Sequence, residues 1–286
     1  MEKTLVSIAW LVGMFLGVGV YGQEGTVGIE GHAGHGMVEK EGGGEVIVKT
    51  RDGMRLIPDQ LNDVVFTLTD GEGKPMDVGE FEVVHEQPVH VMLLDPNYSD
   101  YHHVHPEYLG DGKYGFKFTP ESDCGYRMWV DVKPIDGGQR FIQEELASGL
   151  DCNVAIDEYV NHEVEVDGYT FKLKFDGPVV EGKEVMAEVD VSRDGGAMRE
   201  LEPVMGAFAH MMGFYGDYET IAHTHPMGEE PKSIGERGGP MLKFHLQPEE
   251  AGYLRLYVQV RIDGEDVYAP FGVWVAPGLE SASASG

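Results

Sequence analysis

Residues 184–191 read Glu-Val-Met-Ala-Glu-Val-Asp-Val, with an apolar side chain at every second position from Val185. Because alternate residues of a β-strand point to opposite faces of a sheet, this pattern predicts a strand with one buried face. The same alternation recurs in Glu45–Thr50, Val64–Thr69, Tyr169–Phe175 and Tyr253–Val260.

Turn sequences separate these segments. Asp-Gly stands at 70–71, 111–112 and 263–264, and Asp-Gly-Gly at 136–138 and 194–196, because both residue types adopt the backbone angles of tight turns. A density of about seven short strands per hundred residues is typical of immunoglobulin-like sandwiches. The sequence predicts an all-β chain of two tandem immunoglobulin-like β-sandwich domains after a signal peptide, with at most one short helix, over residues 144–148.

The chain contains an internal repeat. When residues 82–107 are aligned with residues 202–227, eight of the 26 positions are identical without a gap, whereas usual amino-acid frequencies would give about one or two. We therefore predict two copies of one domain. The expected organisation is a signal peptide (1–22), a flexible Gly/His linker (23–44), domain 1 (45–152), domain 2 (164–277) and a disordered tail (278–286).

Three histidines recur in both copies with the spacing His-x12-His-x-His-Pro. They are His90, His103 and His105 in the first copy, and His210, His223 and His225 in the second. Three neutral nitrogen donors on one patch suit a divalent ion such as copper or zinc, at about 2 Å from each nitrogen. Hydrogen-bonded structural histidines are the alternative.

A hairpin would bring each set of histidines together. If the first hairpin is centred between Asn97 and Tyr98, opposed residues have numbers that sum to 195, so His90 faces His105, with His103 diagonally beside them. In the second hairpin, whose turn is Tyr215–Tyr218, the numbers of opposed residues sum to 435, so His210 faces His225. Directly opposed residues share a face and lie about 5 Å apart.

Two further pairs of repeated residues accompany the histidines. Met92 and Met212 follow the first histidine by two positions and share its face; they are either soft ligands that favour copper or core residues. Glu82 and Glu202 precede it by eight positions; each either orients an imidazole through its second nitrogen, completes the coordination of the ion, or is a solvated side chain.

The other histidines have no histidine at the equivalent position of the other copy. His85, His102, His162 and His245 are interpreted as ordinary residues, although His85 and His245 are placed to flank a site. In the linker, His32 and His35 would at most capture cations weakly.

The N-terminus predicts export. A basic start at Lys3, an apolar run over 5–20 and a small residue at Gly22 are typical of a secretory signal peptide. We expect a periplasmic or extracellular protein without membrane insertion after cleavage. In such an oxidising compartment, Cys124 and Cys152 are predicted to form a disulfide.

The charge excludes some partners. With 21 basic and 50 acidic residues, the net charge is −29, which repels nucleic acid and anionic lipid surfaces. It attracts cations without selecting among them.

The motifs His103-Val-His105-Pro106 and His223-Thr-His225-Pro226, with Leu201-Glu-Pro203 before the second, carry a family resemblance. The chain resembles bacterial exported proteins with tandem immunoglobulin-like domains and HVHP motifs. At fold level it is more distantly similar to the YtkA-like and CopC-like modules of periplasmic copper handling. The resemblance implies a copper ion, but the N-terminal histidine of CopC-type proteins is not matched.

Three functions remain open. The first is an exported metal-binding protein, with copper or alternatively zinc, that buffers, carries or delivers the ion to a transporter or acceptor protein. The second is an extracellular structural or adhesion module. The third is a zinc-dependent hydrolase, but no catalytic residue is assigned because no acid or base can be placed, and we expect no enzyme activity.

Overall fold

The computed structural model describes residues 44–51, 53–147, 152 and 155–278. The predicted signal peptide and nearly all of the predicted linker and tail lie outside these residues. Within them the chain forms two tandem immunoglobulin-like β-sandwich domains, so the predicted fold class is confirmed.

Domain 1 is a sandwich of two four-stranded antiparallel sheets. Alternate apolar side chains such as Phe66, Val91 and Val130 fill its core. One sheet has the order β1-β2-β6-β5 and the other β4-β3-β7-β8. The strands are β1 (Val46–Thr50), β2 (Asn62–Asp70), β3 (Val89–Leu94), β4 (Tyr101–Val104), β5 (Glu107–Gly110), β6 (Lys113–Phe118), β7 (Tyr126–Val132) and β8 (Arg140–Leu146).

The one segment considered for a short helix, residues 144–148, is a strand over residues 144–146. Glu144 to Leu146 belong to β8, where Leu146 pairs with Tyr126. The buried Leu146 packs in the core of domain 1, and this packing is available only to an extended chain that lies along β7.

Domain 2 has the same layers, but one strand joins them. Strand β14 pairs with β13 in one layer and with β15 in the other, which gives the continuous order β17-β16-β13-β14-β15-β11-β10-β9, with β12 on β11. In domain 1 the equivalent segment is split into β4 and β5 at His105-Pro106. The strands are β9 (Glu163–Val166), β10 (Tyr169–Phe175), β11 (Val185–Arg193), β12 (Gly196–Ala197), β13 (His210–Tyr215), β14 (Ile221–Met227), β15 (Met241–Leu246), β16 (Gly252–Ile262) and β17 (Glu265–Val275).

The strand β3 is buried on both faces, because a domain core lies on one side and domain 2 on the other. Val91 and Leu93 pack in the core of domain 1, whereas Met92 and Leu94 pack in a separate apolar cluster with residues of domain 2. His90 has the same parity as Met92 and therefore faces the junction between the domains. The junction cluster contains Met92, Leu94, Tyr98, Tyr101, Trp129, Met212, Phe214 and Tyr257.

The repeated turn tyrosines connect the two hairpins. The hydroxyl of Tyr98 donates to the carbonyl of Tyr215 in domain 2, and the hydroxyl of Tyr218 donates to the carbonyl of Leu94 in domain 1 at 2.6 Å. Both tyrosines have a left-handed backbone, with φ of 59° and 63°. Each hairpin therefore places its turn tyrosine on the backbone of the other.

The hairpin registers match the prediction. Met92 lies opposite His103, so opposed residues sum to 195, and Met212 lies opposite His223, so the second register sums to 435. Cys124 and Cys152 form the expected disulfide, with Cα atoms 5.6 Å apart.

Candidate metal centre

Three histidines of domain 1 converge on one point. The Nδ1 of His90 lies 3.1 Å from the Nε2 of His105 and 3.3 Å from the Nε2 of His103, and one ligand atom from each ring lies within 4.8 Å of the others. Two nitrogens bound to one tetrahedral ion at 2.0–2.1 Å are about 3.3–3.4 Å apart. Both measured separations are close to that value.

The orientation of His90 is set by its own chain. Its Nε2 lies 2.8 Å from the carbonyl oxygen of Val84, six residues earlier. A carbonyl oxygen only accepts hydrogen bonds, so Nε2 carries the proton and Nδ1 presents a lone pair to the other two imidazoles. This arrangement is typical of metal-binding histidines, whose second nitrogen is held by a carbonyl or carboxylate.

Domain 2 sets the orientation of His103. The Nδ1 of His103 lies 3.2 Å from the Oε1 of Gln259. The Nε2 of Gln259 donates to the Oδ2 of Asp266 at 3.1 Å, and Asp266 is held by Arg261 at 2.6 and 3.0 Å. An ionised carboxylate cannot donate, so the amide nitrogen must face Asp266 and its oxygen must accept the Nδ1 proton of His103. The Nε2 of His103 is therefore also a lone pair.

Burial keeps these imidazoles neutral. Desolvation lowers the pKa of His90 and lowers that of His103 well below its usual range, where the neighbouring histidines depress it further. The pKa of His105 falls to about 4, again chiefly through desolvation. Neutral imidazoles are the form that binds a metal ion.

The triad formed by His90, His103 and His105 is accessible to solvent from one side. His90 is only 4% exposed, whereas His105 lines an open hollow of about 350 Å³ together with Glu107 and Leu109. An ion can therefore approach through His105, and the hollow leaves room for a fourth ligand.

The second set of histidines is described only in part. His210 is buried, and its Nε2 lies 3.1 Å from the carbonyl oxygens of Val204 and Met205, which repeats the arrangement of His90. Its pKa is lowered to about 4 by burial. His225 lies on β14 opposite His245, and the side chain of His223 lies outside the described part of the structure.

The remaining site candidates take other places. Met92 and Met212 are buried in the junction cluster, next to the histidines in sequence but packed among aromatic rings. The carboxylates of Glu82 and Glu202 do not orient an imidazole: they form ion pairs with the basic side chains of Lys133 and Arg237, whose opposite charges attract them. The partners that orient the imidazoles are instead Val84 and Gln259.

Sequence reasoning missed Gln259. It occupies the position of β16 that faces His210 in register, and the equivalent position of β7 is Asp131, which faces His90. The signal in the sequence is the amide of Gln259 within the strand segment Tyr253–Val260, because a buried amide needs a hydrogen-bond partner. The partner itself lies in the other domain, where sequence periodicity cannot locate it.

A family model matches both halves of the chain. It is described as a domain of unknown function, DUF8832, and it matches residues 40–148 and again residues 164–277. The chain belongs to this family. Each match contains one of the two hairpins, and no curated protein matches the chain.

Several solved structures resemble the chain at low similarity. The D00-D0 domain of intimin is 9% identical, over 80% of this chain and 100% of that one, with a TM-score of 0.23. Invasin, a bacterial integrin-binding protein, is 13% identical over 79% and 39%, with a TM-score of 0.21. MtrC from Shewanella baltica OS185 is 7% identical over 79% and 68%, with a TM-score of 0.26. Likenesses at this level carry no inference about function.

Among the described residues, no helix has the length and apolar character needed to cross a bilayer.

Proposed function

We propose that this chain is an exported metal-binding protein that holds copper at His90, His103 and His105 and buffers, carries or delivers it. One observation carries the proposal. The Nδ1 of His90 and the Nε2 of His103 lie 3.3 Å apart. Each ring carries its proton on its other nitrogen, so both of these nitrogens present a lone pair to the same point.

Such a contact is unfavourable without a cation. Only the contact of His105 with His90 can be a hydrogen bond, because the Nδ1 of His90 can accept one from the Nε2 of His105. The contact with His103 pairs two acceptors in a buried place, where unpaired lone pairs are disfavoured. An ion between the three nitrogens would turn this repulsion into three bonds.

Copper is proposed over zinc for two reasons. Nitrogen sites bind divalent copper more tightly than divalent zinc, following the general order of affinities for these ions. The resemblance to copper-handling modules points the same way. Zinc is the alternative outcome of the test.

The charge favours a role in capture and transfer. A net charge of −29 raises the local concentration of cations around the protein. An acceptor or transporter that takes the ion from His105, at the open side of the triad, is the partner that this geometry would serve.

The test is copper and zinc content and affinity of protein purified without a polyhistidine tag. Substitutions are made in a background of His32→Ala and His35→Ala, since these histidines would otherwise bind ions. We expect His103→Ala to weaken Cu(II) binding more than about 100-fold, since loss of an orienting partner alone weakens binding about 10- to 100-fold.

His102→Ala is the matched control. His102 lies next to His103 on β4 but contacts Asp100 and the ring of Phe118 within domain 1, so its removal should leave the affinity within about threefold. If the background protein and His103→Ala bind copper and zinc equally weakly, the histidines are structural and the structural or adhesion alternative stands. If turnover of a hydrolysable ester disappears with His103→Ala, the hydrolase alternative stands.

A further inference from the structure

A further imidazole lies at the domain junction, outside both repeated sets. His85 belongs to domain 1, yet its ring centre is 5.1 Å from that of His210 in domain 2 and 6.4 Å from that of His90. The ring planes of His85 and His210 are inclined at 74°. Side chains of both domains therefore meet beside the triad.

The backbone of His85 is unusual. His85 and Glu86 form a two-residue turn, closed by hydrogen bonds between Val84 and Gln87 at 3.0 and 3.1 Å, with φ of +47° and +70°. Left-handed residues other than glycine are strained, and they concentrate at functional sites. The equivalent turn of domain 2 is Met205-Gly206, where glycine relieves half of the strain.

Backbone carbonyl oxygens fix the tautomer of His210 in the same way as that of His90. Its Nε2–H is directed to the carbonyl oxygens of Val204 and Met205, which leaves Nδ1 as a lone pair. His225 follows His223 by two residues on β14, and His223 lies opposite Met212, which follows His210 by two residues on β13. The register of this hairpin therefore places His225 across from His210 on the same face.

A hollow opens at this place. It has a volume of about 260 Å³ and is lined by His85 together with Met227, Met241, Glu229 and Glu230. Both methionines are about half exposed. Thioethers and carboxylates are additional donors for a copper or zinc ion at the mouth of the hollow.

We propose that His85, His210 and His225 form a second cation site, shared between the domains and open to this hollow. The proposal rests on the proposed function, because the same class of ion would be bound. The site differs from the triad in preorganisation: among the described residues, only the nitrogens of His90, His103 and His105 already converge. The second site must rotate its rings on binding, so it is the weaker and faster-exchanging of the two.

The experiment is a Cu(II) titration of the background protein, followed by calorimetry and electron paramagnetic resonance. We expect two ions per chain, the second bound at least tenfold more weakly. His85→Asn removes the imidazole but tolerates the left-handed backbone, and circular dichroism verifies its fold. It should lose the weak ion and keep the tight one within about twofold.

His162→Ala is the matched control, since this exposed histidine lies beside Phe175 in domain 2, away from the junction. It should bind both ions as the background does. If His85→Asn still binds two ions with unchanged affinities, or if the background binds a single ion that His103→Ala removes, the second site is wrong and the proposed function stands. If the background binds no ion, both fail together.

Discussion

The Nδ1 of His103 donates to the Oε1 of Gln259 at 3.2 Å, although 156 positions separate the two residues. His103 belongs to the three-histidine set of domain 1, whereas Gln259 lies on β16 of domain 2. One domain therefore supplies the three nitrogens, and the other selects the tautomer in which one of them can bind an ion.

Gln259→Leu should weaken Cu(II) binding about 10- to 100-fold, which is the usual effect of removing a residue that orients a metal ligand. The three ligands remain, but His103 can then adopt the other tautomer. Isothermal calorimetry measures the change. Gln143→Leu is the control, because Gln143 also bonds across the domain junction, to the carbonyl of Glu219 at 2.8 Å, but away from the histidines. Equal effects of the two substitutions would show that Gln259 acts only through domain packing.

Asp131→Asn should stabilise the protein above pH 7. Burial raises the pKa of Asp131 from 3.8 to about 7, so ionising it in the fold opposes stability, and this loss grows as pH rises from about 4 to 7. At about 1.4 kcal/mol per pKa unit, the gain from the amide is at most about 4 kcal/mol at pH 8 and close to zero at pH 4. The amide oxygen can still accept from Gln139.

Urea denaturation in the presence of a chelator measures this gain. Asp136→Asn, at an exposed position of the turn between β7 and β8, should change the free energy of unfolding by less than about 0.5 kcal/mol. A gain for Asp131→Asn that is the same at pH 5 and pH 8 would mean that the carboxyl has an ordinary pKa.

The metal-free protein should lose stability as the pH falls from 6.5 to 4.5. An unfolded histidine takes up a proton near pH 6.5, whereas His210 in the fold does so only near pH 4, because burial lowers its pKa. The unfolded state therefore binds more protons in this window, and the free energy of unfolding falls with pH. His210 alone contributes at most about 3 kcal/mol.

This measurement is best made in the Asp131→Asn variant, where the opposing carboxyl is absent. Urea midpoints at pH 7.5, 6.0 and 4.5 give the profile. A free energy of unfolding that stays constant between pH 7 and 4.5 would contradict neutral buried histidines. Saturating Cu(II) at pH 7.5 should raise the midpoint, and this increase should persist at pH 4.5, because the pKa of His105 is about 4 and protons compete for the imidazoles only around and below that pH.

Tyr218→Phe should lower the free energy of unfolding by about 2–3 kcal/mol. Its hydroxyl donates to the carbonyl of Leu94 at 2.6 Å and accepts the backbone N–H of Arg127 at 2.8 Å, and a buried polar group left unpaired costs about 1–3 kcal/mol. Thermal and urea unfolding measure the loss. Tyr108→Phe is the control, since this exposed hydroxyl bonds the side chain of Asp77 within domain 1, and its loss should lower the free energy of unfolding by less than about 0.5 kcal/mol. Equal losses would mean that the tyrosines do not join the domains.

Local patterns were enough for the fold class and for the hairpins. Alternation with a period of two identified the strands, and the turn around Asn97 and Tyr98 set a register that the pairing of Met92 with His103 reproduces. In a hairpin the register depends on the turn and on neighbouring residues, so it can be read from a short segment. The disulfide between Cys124 and Cys152 could be predicted because the sequence contains only these two cysteines.

The sequence by itself therefore determined which residues form strands and which histidines share a face. Only the tertiary structure decided that this face is buried against domain 2, that Gln259 orients His103, that Glu82 pairs with Lys133 instead of an imidazole, and that His85 reaches His210. The physical reason is that the face on which a side chain lies depends on the local backbone of its strand. Contacts between the domains depend on how their sheets pack against each other, and the pattern of residues within one segment does not specify that packing.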